Sequence, residues 1–396
     1  MKVVAINTVA VDYNAPGRIM TDICRAVNNV GGDTLVVYGR GDAPHGVNSY
    51  QMGGNFNFYN HTLKSRLTDS EGLHSIAVTR KMLNELEHFS PDIIHLHNLH
   101  GHYLNYPLLF DWLKTSGVPV VWTLHDCWAF TGHCAYYSSV KCNGWRTGCK
   151  LCKHAREYPS SYIDRARYNF SKKAETFTSI DRLTVVPVSQ WLADEVASSF
   201  LNKYPVKVIP NGIATNVFRH MNVENSTPKF KILGVASKWE NRKNLQFFIE
   251  LAHASSAFAN VYLVGRLSRK QRKILPDNIM LIGEIKSSED MARVYSSVNL
   301  FINASVAETF GMTTIEAMAC GLPIIVNDTT ALSEVIAGDA AFVVDINDMG
   351  KVLQMIEKIK NEVVPFKTGT SVGHIKTKYD ISLMTSAYIQ LFKSIL

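Results

Sequence analysis

Two acidic residues flank a glycine in the second half of this 396-residue chain: Glu308 and Glu316, with Gly311 between them. The apolar run Leu300–Asn303 predicts a strand before them, and Thr314–Cys320 predicts a helix. The start of such a helix presents backbone N–H groups and the positive end of its dipole to an anion, and glycine lets a diphosphate approach closely. We therefore predict a diphosphate site at Gly311, with the carboxylates holding sugar and ribose hydroxyls. A solvated helix start is the alternative that this spacing alone leaves open.

A second group of reactive side chains lies in the first half, where four histidines fall within eight residues: His95, His97, His100 and His102. Because side chains alternate across a strand, His95 and His97 are expected on one face. Three interpretations are open: a metal site, acceptor recognition, or polar packing at a strand end. We favour acceptor-side residues for His97 and His100.

The residues that follow two predicted strands belong to the same region. The strands are Asp92–His97 and Val118–Thr123, both apolar runs that end in polar residues. Ligands of open α/β sheets gather at the carboxyl ends of the strands. The side chains placed there are His97, Asn98, His125 and Asp126.

Five of the seven cysteines lie between Cys127 and Cys152. Four of them have the spacing Cys134-x7-Cys142-x6-Cys149-x2-Cys152, and the last pair is a zinc-type knuckle. Four thiolates would complete a tetrahedral structural zinc site in a loop that lacks obvious core residues. The alternative is a set of reduced thiols, some buried as small hydrophobes. No open ligand set is evident, so a catalytic metal is not indicated.

The elements that must position these side chains alternate between strand and helix. A strand at Val3–Ile6, a loop at Asn14–Gly17, a helix at Arg18–Asn29 and a strand at Thr34–Tyr38 form a βαβ unit, which is typical of a parallel sheet. The first half closes with predicted strands at Leu183–Val188 and Val206–Ile209 and a turn at Pro210–Gly212.

A second alternation follows a polar loop at Asn222–Pro228. Its predicted strands are Phe230–Val235, Val261–Val264, Ile279–Ile282, Leu300–Asn303 and Pro323–Val326. Its predicted helices are Leu245–Ala254, Glu289–Ser296 and Thr314–Cys320. The tail carries apolar residues at a spacing that fits one buried helical face: Leu383, Met384, Ala387, Tyr388, Leu391 and Phe392. The sequence therefore predicts two doubly wound α/β units.

Composition and charge limit the classes of partner that the protein is expected to bind. Hydrophobic residues make up 46% and charged residues 19%, which is ordinary globular composition. The formal charge of +7 suits an anionic partner, yet no zinc-finger or RNA-binding signature accompanies it, so nucleic acid is not expected. Basic clusters at 165–173 and 269–273 fit a solvated surface as well as a membrane-facing patch. No secretory signal or run of about 20 apolar residues is visible, so we expect a cytoplasmic, soluble or peripheral protein.

The run from Glu308 to Pro323, Glu-Thr-Phe-Gly-Met-Thr-Thr-Ile-Glu-Ala-Met-Ala-Cys-Gly-Leu-Pro, resembles the donor-site signature of the family 4 retaining glycosyltransferases of the GT-B fold. Other segments resemble family motifs in the expected order: Pro91–His97, Thr123–Asp126, Val188–Leu192, and Val208–Ile213 followed by Phe218. The resemblance covers nearly the whole chain. Transferases of bacterial surface polysaccharides (exopolysaccharide, O-antigen, capsule) are the similar subgroup, on the block His97–Asn105 and the Cys/Trp-rich stretch after Thr123.

The resemblance implies two Rossmann-like domains facing each other across a cleft. The acceptor-side domain would occupy 1–203 and the nucleotide-sugar-binding domain 204–375, while a C-terminal helix at 376–396 would pack back on the first domain. It also implies retaining, front-face hexosyl transfer from a UDP-sugar or GDP-sugar to a lipid-linked oligosaccharide acceptor. The enzyme would work at the inner face of the cytoplasmic membrane and need no metal ion for catalysis.

The family also implies roles for matching residues. Glu308 would stabilise the developing oxocarbenium ion, and His125 would lie beside the reacting carbon. Glu316 would bind the ribose, and Lys243 would neutralise the diphosphate. The full set of implied donor-binding residues is Gly17, Asn211, Arg242, Lys243, Thr309, Phe310, Gly311, Met312 and Glu316. The acceptor-side residues would be His97, Asn98, His100 and Asp126.

One segment departs from the family pattern. The family usually carries Gly-Arg before a Lys-Gly pair, but here the chain reads Ala-Ser-Lys-Trp-Glu-Asn-Arg-Lys-Asn over 236–244. The first arginine is therefore missing at its usual place. Either Lys238 or Arg242 supplies the second positive charge.

Two other functions are compatible with these motifs. One is a GT-B synthase or phosphorylase that builds a small soluble glycoside from the same donor motifs. The other is a non-enzymatic nucleotide-binding or scaffold protein with a degenerate site. The presence of both carboxylates together with Lys243 argues against the second.

Overall fold

The computed structural model describes residues 1–11, 15–223, 228–336, 341–363 and 368–396. Asn14, from the predicted first loop, and residues 224–227, most of the predicted polar loop, lie outside these ranges. The chain divides into two compact units, Met1–Pro210 with Met384–Leu396, and Asn211–Leu383. Residues 204–210 therefore go with the first unit, and the C-terminal segment that joins it begins at Met384.

The first unit is built on one parallel sheet. Its strands are β1 (Lys2–Val9), β2 (Asp33–Arg40), β3 (Asn48–Gln51), β4 (Ile93–Leu96), β5 (Val120–Leu124) and β6 (Leu183–Pro187). They are ordered β3-β2-β1-β4-β5-β6, so the connections reverse direction between β1 and β4, the doubly wound arrangement. Every residue of β4 and β5 is buried, because a parallel sheet is covered on both faces.

Helices cover this sheet. They are α1 (Ala15–Asn29), α2 (Asn55–Thr68), α3 (Ile76–Phe89), α4 (Tyr106–Ser116), α5 (Ala166–Phe177) and α6 (Gln190–Ala197). Between β5 and α5 the chain forms one-turn 3₁₀ helices at Trp128–Phe130, Tyr137–Val140 and Gly144–Thr147, and this stretch carries the cysteine cluster. None of the helices in the described ranges combines the length and apolar character that crossing a bilayer requires.

The second unit repeats the architecture. Its strands are β7 (Phe230–Lys238), β8 (Ala259–Arg266), β9 (Ile279–Gly283), β10 (Leu300–Asn303), β11 (Ile324–Asn327) and β12 (Ala341–Val344), in the parallel order β12-β11-β10-β7-β8-β9. Its helices are α7 (Leu245–Ser255), α8 (Arg269–Arg272), α9 (Ser288–Ser296), α10 (Met312–Ala319), α11 (Leu332–Val335), α12 (Met349–Lys360) and α13 (Thr368–Lys378). A last helix, α14 (Ile381–Ile395), belongs to the first unit from Met384 onward. The predicted pair of doubly wound sheets is confirmed.

Several local predictions were wrong. Residues 206–209 form no regular strand: Val206 makes a single bridge to Val185, and the N–H groups of Lys207 and Ile209 donate to the carbonyls of Val185 and Pro187. The ladder does not continue because Pro187 in β6 has no N–H to donate back. Helix α1 begins at Ala15, so Gly17 lies in its first turn and not in a loop. Residues 210–212 form no hydrogen-bonded turn. In α14, Leu383 is 46% exposed and does not share the buried face.

Candidate functional site

The end of β10 and the start of α10 meet at Gly311. This residue caps α10 with a φ of 102°, in the left-handed region that favours glycine. A Cβ at this position would lie 2.8 Å from Leu332 Cδ2. In the first turn of α10, Thr314 Oγ1 accepts a hydrogen bond of 3.0 Å from Asn303 Nδ2, which ties the helix to the end of the strand. A glycine-capped helix start thus stands at a strand end, where a diphosphate can meet the first backbone N–H groups.

Lys243 and Glu308 form an ion pair in the loops next to this helix, and each side chain is only 12% exposed. Two backbone hydrogen bonds fix Glu308: its N–H donates to Thr330 Oγ1 at 2.9 Å, and its carbonyl accepts from the Ala331 N–H at 3.2 Å. Lys243 directly precedes Asn244, the residue that caps α7. Both partners are therefore anchored by elements of the second unit.

The electrostatics of this pair favour an ionised carboxylate. Burial raises the pKa of Glu308, but the charges of Lys243 and Arg242 outweigh burial, so the pKa lies below the ordinary value. Burial lowers the pKa of Lys243, and the attraction of Glu308 opposes that shift. Glu308 is therefore an anion at neutral pH inside a largely buried, positively charged site.

The two candidates for the second positive charge, Arg242 and Lys238, lie in different surroundings. The charge of Arg242 acts on both Lys243 and Glu308, and its carbonyl accepts a 2.9 Å hydrogen bond from the N–H of Val306 in the loop that leads to Glu308. The side chain of Lys238 is 66% exposed, and its Nζ lies 3.6 Å from a carboxylate oxygen of Glu240. Arg242, whose Nε lies 3.8 Å from a Glu240 carboxylate oxygen, is the cation whose charge acts on the ion pair, and its role as the second phosphate cation stays a prediction.

The remaining donor-side residues differ in what they can offer a ligand. Glu316 is 7% exposed, and its Oε2 accepts a hydrogen bond of 3.2 Å from the Tyr295 hydroxyl, which orients the carboxylate. Phe310 is 4% exposed and packs edge-on against Tyr379, so its backbone and not its ring is available. Asn211 is buried as well. Thr309 and Met312 are partly exposed.

Gly17 has a packing reason of its own. A Cβ on this residue would lie 2.8 Å from the carbonyl oxygen of Val11 and 3.1 Å from that of Val9. The absence of a side chain thus lets α1 pack against the end of β1 and the residues that follow it. The predicted contact with phosphates stays a prediction.

In the first unit, a histidine pair lies where β4 and β5 end. Nδ1 of His97 and Nε2 of His125 are 2.8 Å apart, and the two rings stack at an interplanar angle of 9°. The His95 ring lies 4.2 Å from the His97 ring, which confirms that they share a face. His97 is 1% exposed and His125 is 9% exposed. His97 is therefore the more buried ring and lies behind His125, and its predicted contact with an acceptor stays a prediction.

A second polar network lies in the same unit. His100 Nε2 and Asp126 Oδ2 are 2.8 Å apart, and His100 Nδ1 lies 3.0 Å from the Tyr158 hydroxyl. Asp126 Oδ1 accepts a hydrogen bond of 2.9 Å from the Trp128 N–H. Asn98, partly exposed, contributes its backbone carbonyl to the Tyr103 hydroxyl at 2.7 Å.

Burial keeps the histidine pair neutral. It lowers the pKa of His125 to about 4, with His100 adding to that effect and Asp126 opposing it. It lowers the pKa of His97 well below the ordinary value, and the neighbouring His95 and His125 reinforce the shift. Asp126 remains an anion, because the interaction with His100 outweighs the burial that would raise its pKa.

Some residues of these networks were not found from the sequence. Tyr295 contacts Glu316 and Thr330 contacts Glu308, whereas Tyr158 contacts His100 in the other network. Of these three residues, only Tyr158 had a position in the sequence, just after the cysteine block, that could have indicated a role. A further group, His61, Glu71 and His102, brings three potential metal-ligand atoms within 4.8 Å of one another. In the described ranges the four cysteines do not form such a group, although all four line one cavity.

Two glycosyltransferase family profiles match successive parts of the chain. The profile described as Glycosyltransferase Family 4 matches residues 17–217, and that described as Glycosyl transferases group 1 matches residues 229–361. The chain therefore belongs to glycosyltransferase family 4, and the predicted GT-B fold class is confirmed.

Among curated relatives, the "Putative colanic acid biosynthesis glycosyl transferase WcaC" of Escherichia coli (strain K12) is 23% identical over 323 residues, 77% of each chain. The "O-antigen chain mannosyltransferase RfbU" of Salmonella typhimurium is 28% identical over 196 residues, 47% of this chain and 53% of that protein.

Solved structures share the fold at low identity. A sucrose-phosphate synthase from Thermosynechococcus elongatus superposes with a TM-score of 0.71 at 14% identity, covering 100% of this chain and 99% of that one. Anabaena Alr3699/HepE in complex with UDP-glucose gives a TM-score of 0.68 at 14% identity, covering 100% of both chains.

Proposed function

We propose that this glycosyltransferase moves a sugar, with retention, from a nucleoside diphosphate sugar held by the second unit to a lipid-linked saccharide of a bacterial surface polysaccharide. The observation that carries the donor assignment is the largely buried Lys243–Glu308 pair next to the glycine-capped start of α10. Each partner suits a different part of a donor: the cation suits the diphosphate, and the carboxylate suits positive charge that develops on the sugar.

The ion pair implies a specific event when the donor binds. In the chain without donor, Lys243 and Glu308 neutralise each other. A bound diphosphate becomes the new partner of Lys243, with Arg242 as the second cation, and Glu308 is then released towards the anomeric carbon. The C1–O bond to the diphosphate breaks and a bond to the acceptor oxygen forms on the same face, while the acceptor proton passes to the departing diphosphate. These steps use only groups of the chain, the donor and the acceptor, so we propose that no metal ion is required.

We assign the remaining donor contacts from the burial and orientation of each side chain and backbone group. We assign the ribose hydroxyls to Glu316, whose carboxylate Tyr295 orients, and the phosphates to the backbone of Phe310–Met312. Thr309 and Asn211 complete the proposed donor set. In the first unit we assign contact with the reacting groups to His125 and contact with the acceptor to His100, Asp126 and Asn98. His97 is the positioning residue behind His125.

The named relatives support the class of substrate. Their names refer to colanic acid, O-antigen and, for the Staphylococcus aureus relative CapM, capsular polysaccharide. The structures of Anabaena HepE contain UDP, UDP with glucose, or UDP-glucose, which favours a UDP-sugar donor. A GDP-sugar is the alternative, because the described contacts address the diphosphate and sugar and not the base.

Helix α2 supports binding at a membrane surface. Four large apolar side chains lie on one exposed helical face at intervals of three and four residues, with exposures of 84%, 67%, 59% and 52%: Phe56, Tyr59, Leu63 and Leu67. Lys64 and Arg66 are exposed on the same helix and flank this face. An apolar stripe between cations fits the headgroup region of an anionic bilayer, where a lipid-linked acceptor resides. We therefore propose peripheral binding at the inner face of the cytoplasmic membrane.

A donor screen with the full chain tests the donor class. UDP- and GDP-sugars are each incubated with lipid-linked saccharide acceptors, and nucleotide release and product anomer are measured. We expect acceptor-dependent release from one nucleotide class and retention at the anomeric carbon. Inversion would contradict the proposed retention. Turnover with soluble sugar phosphates alone would instead favour a synthase of soluble glycosides, the function suggested by the sucrose-phosphate synthase likeness.

Vesicle sedimentation tests the membrane surface separately. We expect the full chain to sediment with vesicles rich in phosphatidylglycerol and not with pure phosphatidylcholine. Leu63→Asp should abolish sedimentation, whereas Ile274→Asp, at a residue equally exposed (59%) in the second unit, should not. Equal sedimentation of both variants would contradict the role of α2.

A further inference from the structure

The cysteine-rich stretch between β5 and α5 encloses one small cavity. Its lining includes the sulfur-bearing residues Cys134, Cys142, Cys149 and Cys152 together with Trp145 and Leu151, and its volume is about 20 Å³. A space of this size holds one water molecule or one metal ion. A water molecule needs two or more polar partners, yet thiols are weak ones, so a metal ion is the better occupant.

Backbone hydrogen bonds already support thiolates at two of the four positions. The Gly132 N–H donates to Cys149 Sγ at 3.2 Å, and the His154 N–H donates to the Cys152 sulfur. Such bonds suit the thiolate form that metal ligation requires, and a bound metal would supply the positive charge that stabilises it.

A buried lysine lies next to the cluster. Lys173, on α5, is 2% exposed, and its Nζ donates to the carbonyls of Trp128 at 2.7 Å and Thr131 at 3.0 Å. Lys173 therefore belongs neither to a solvated surface nor to a membrane patch. A buried cation beside neutral thiols is costly, but beside a metal with four thiolates, which carries a net negative charge, it is compensated.

We propose that Cys134, Cys142, Cys149 and Cys152 bind one structural Zn²⁺ ion, with Lys173 offsetting part of the net negative charge of the tetrathiolate. Four sulfur ligands select zinc among common divalent ions and leave no open position, so the ion stabilises structure and does not react. The four sulfurs are not yet within one coordination sphere, so binding must draw them inward around the cavity.

The zinc site would stabilise the acceptor-side network. The Cys127 N–H donates to the Ala135 carbonyl at 2.9 Å, and the Ala135 N–H donates to the Tyr158 carbonyl at 3.1 Å. Tyr158 in turn meets Nδ1 of His100 through its hydroxyl at 3.0 Å. Zinc binding that orders residues 134–152 would therefore hold in place the backbone hydrogen bonds that bring Tyr158 to His100.

Metal analysis of the full chain, purified without chelators under reducing conditions, tests the proposal. We expect about one zinc per chain in the wild type, and less than a tenth of that in Cys149→Ser/Cys152→Ser. Two controls should keep the metal: Cys24→Ser, a buried thiol on α1, and His61→Ala/His102→Ala, which removes the other candidate ligand group. Zinc lost in the histidine variant but kept in the cysteine variant would overturn the proposal.

A second measurement does not depend on the folding of variants. Co²⁺ is added to wild-type chain stripped of zinc, and the visible and near-ultraviolet absorption is recorded. Tetrahedral thiolate ligation gives intense sulfur-to-metal charge-transfer bands, whose saturation at one equivalent we expect. Wild-type chain that contains no zinc and shows no such bands with Co²⁺ would reject the site, whatever the activity of the enzyme.

Discussion

Nδ1 of His97 lies 2.8 Å from Nε2 of His125, where the adjacent strands β4 and β5 end. Both rings are buried and held neutral, so one nitrogen donates and the other accepts, and the pair fixes the tautomer of each ring. A buried residue thereby determines which proton the more exposed His125 presents to a ligand.

Removal of His97 should impair turnover through His125. We expect His97→Leu to lower kcat about tenfold or more with little change in donor KM, because general acid–base and positioning effects of a histidine are of this order. His97→Asn, which retains a polar group near the Nδ1 position, should recover part of the loss. Exposed His88→Asn on α3 is the control. Equal kcat values for the Leu and Asn variants, with matched unfolding midpoints, would show that the contact is only structural.

The buried histidines should also make the fold sensitive to acid. The pKa of His95 is about 3 and that of His125 about 4, against about 6.5 for an unfolded histidine. Between these values the unfolded chain binds protons that the folded chain does not, so stability falls as the pH falls from about 6.5 towards 4. Each histidine contributes about 1.4 kcal/mol per pH unit in this window.

Urea unfolding at pH 7.5 and 5.5 measures this slope. The charged group near the cluster, Asp126, has a lowered pKa, so its own contribution is lost only at lower pH. We expect His95→Asn to reduce the difference between the two pH values and His88→Asn to leave it unchanged. An unchanged slope in His95→Asn would contradict the assignment of a buried neutral ring.

Arg242 and Lys238 should differ in their effect on nucleotide binding. Arg242→Gln should weaken UDP or GDP binding about tenfold, because a hydrogen bond to a charged group contributes about 1.5–3 kcal/mol. Lys238→Gln should change it less than twofold, since that side chain is exposed and paired with Glu240. Calorimetric titration measures both. The reverse ranking would mean that Lys238 replaces the missing family arginine.

Gly311 should tolerate no side chain. Its φ of 102° costs an alanine about 1–2 kcal/mol, and the new Cβ would meet the buried Leu332. We expect Gly311→Ala to lower the free energy of unfolding by this amount and to abolish detectable nucleotide binding. Gly369→Ala on α13, where a Cβ meets no atom within 4 Å, should be neutral or slightly stabilising. Unimpaired nucleotide binding by Gly311→Ala would remove the helix start from the site.

The sequence predicted the strands of both sheets well where they are apolar and bounded by turns. The strands Ile93–Leu96 and Leu300–Asn303 are buried on both faces, and such runs carry their own signal. The sequence did not predict the short edge strand Asn48–Gln51, whose residues are mostly polar and mostly exposed. The predicted strand at 206–209 was wrong because its apolar composition does not reveal that Pro187, on the neighbouring strand, lacks the N–H that would continue the ladder.

The candidate site was predictable by residue type and less so by role. Glu308, Glu316, Lys243 and His125 all occupy sites that suit the predicted chemistry. The pairing of Lys243 with Glu308 was not foreseen, because 65 positions separate them and only the folded sheet brings their loops together. The contact of His97 with His125 likewise depends on burial, which a strand-end position does not reveal.

The most direct test compares Glu308→Gln with Lys243→Met in two assays, nucleotide binding and sugar transfer. If the ion pair is the donor site, Glu308→Gln should bind UDP or GDP as tightly as the wild type or more tightly, since Lys243 loses its competing partner. Its transfer rate should fall about 10²–10³-fold, the size expected when one charge-stabilising group is lost. Lys243→Met should lose both binding and transfer. Wild-type transfer by Glu308→Gln, or unchanged nucleotide binding by Lys243→Met, would contradict the account.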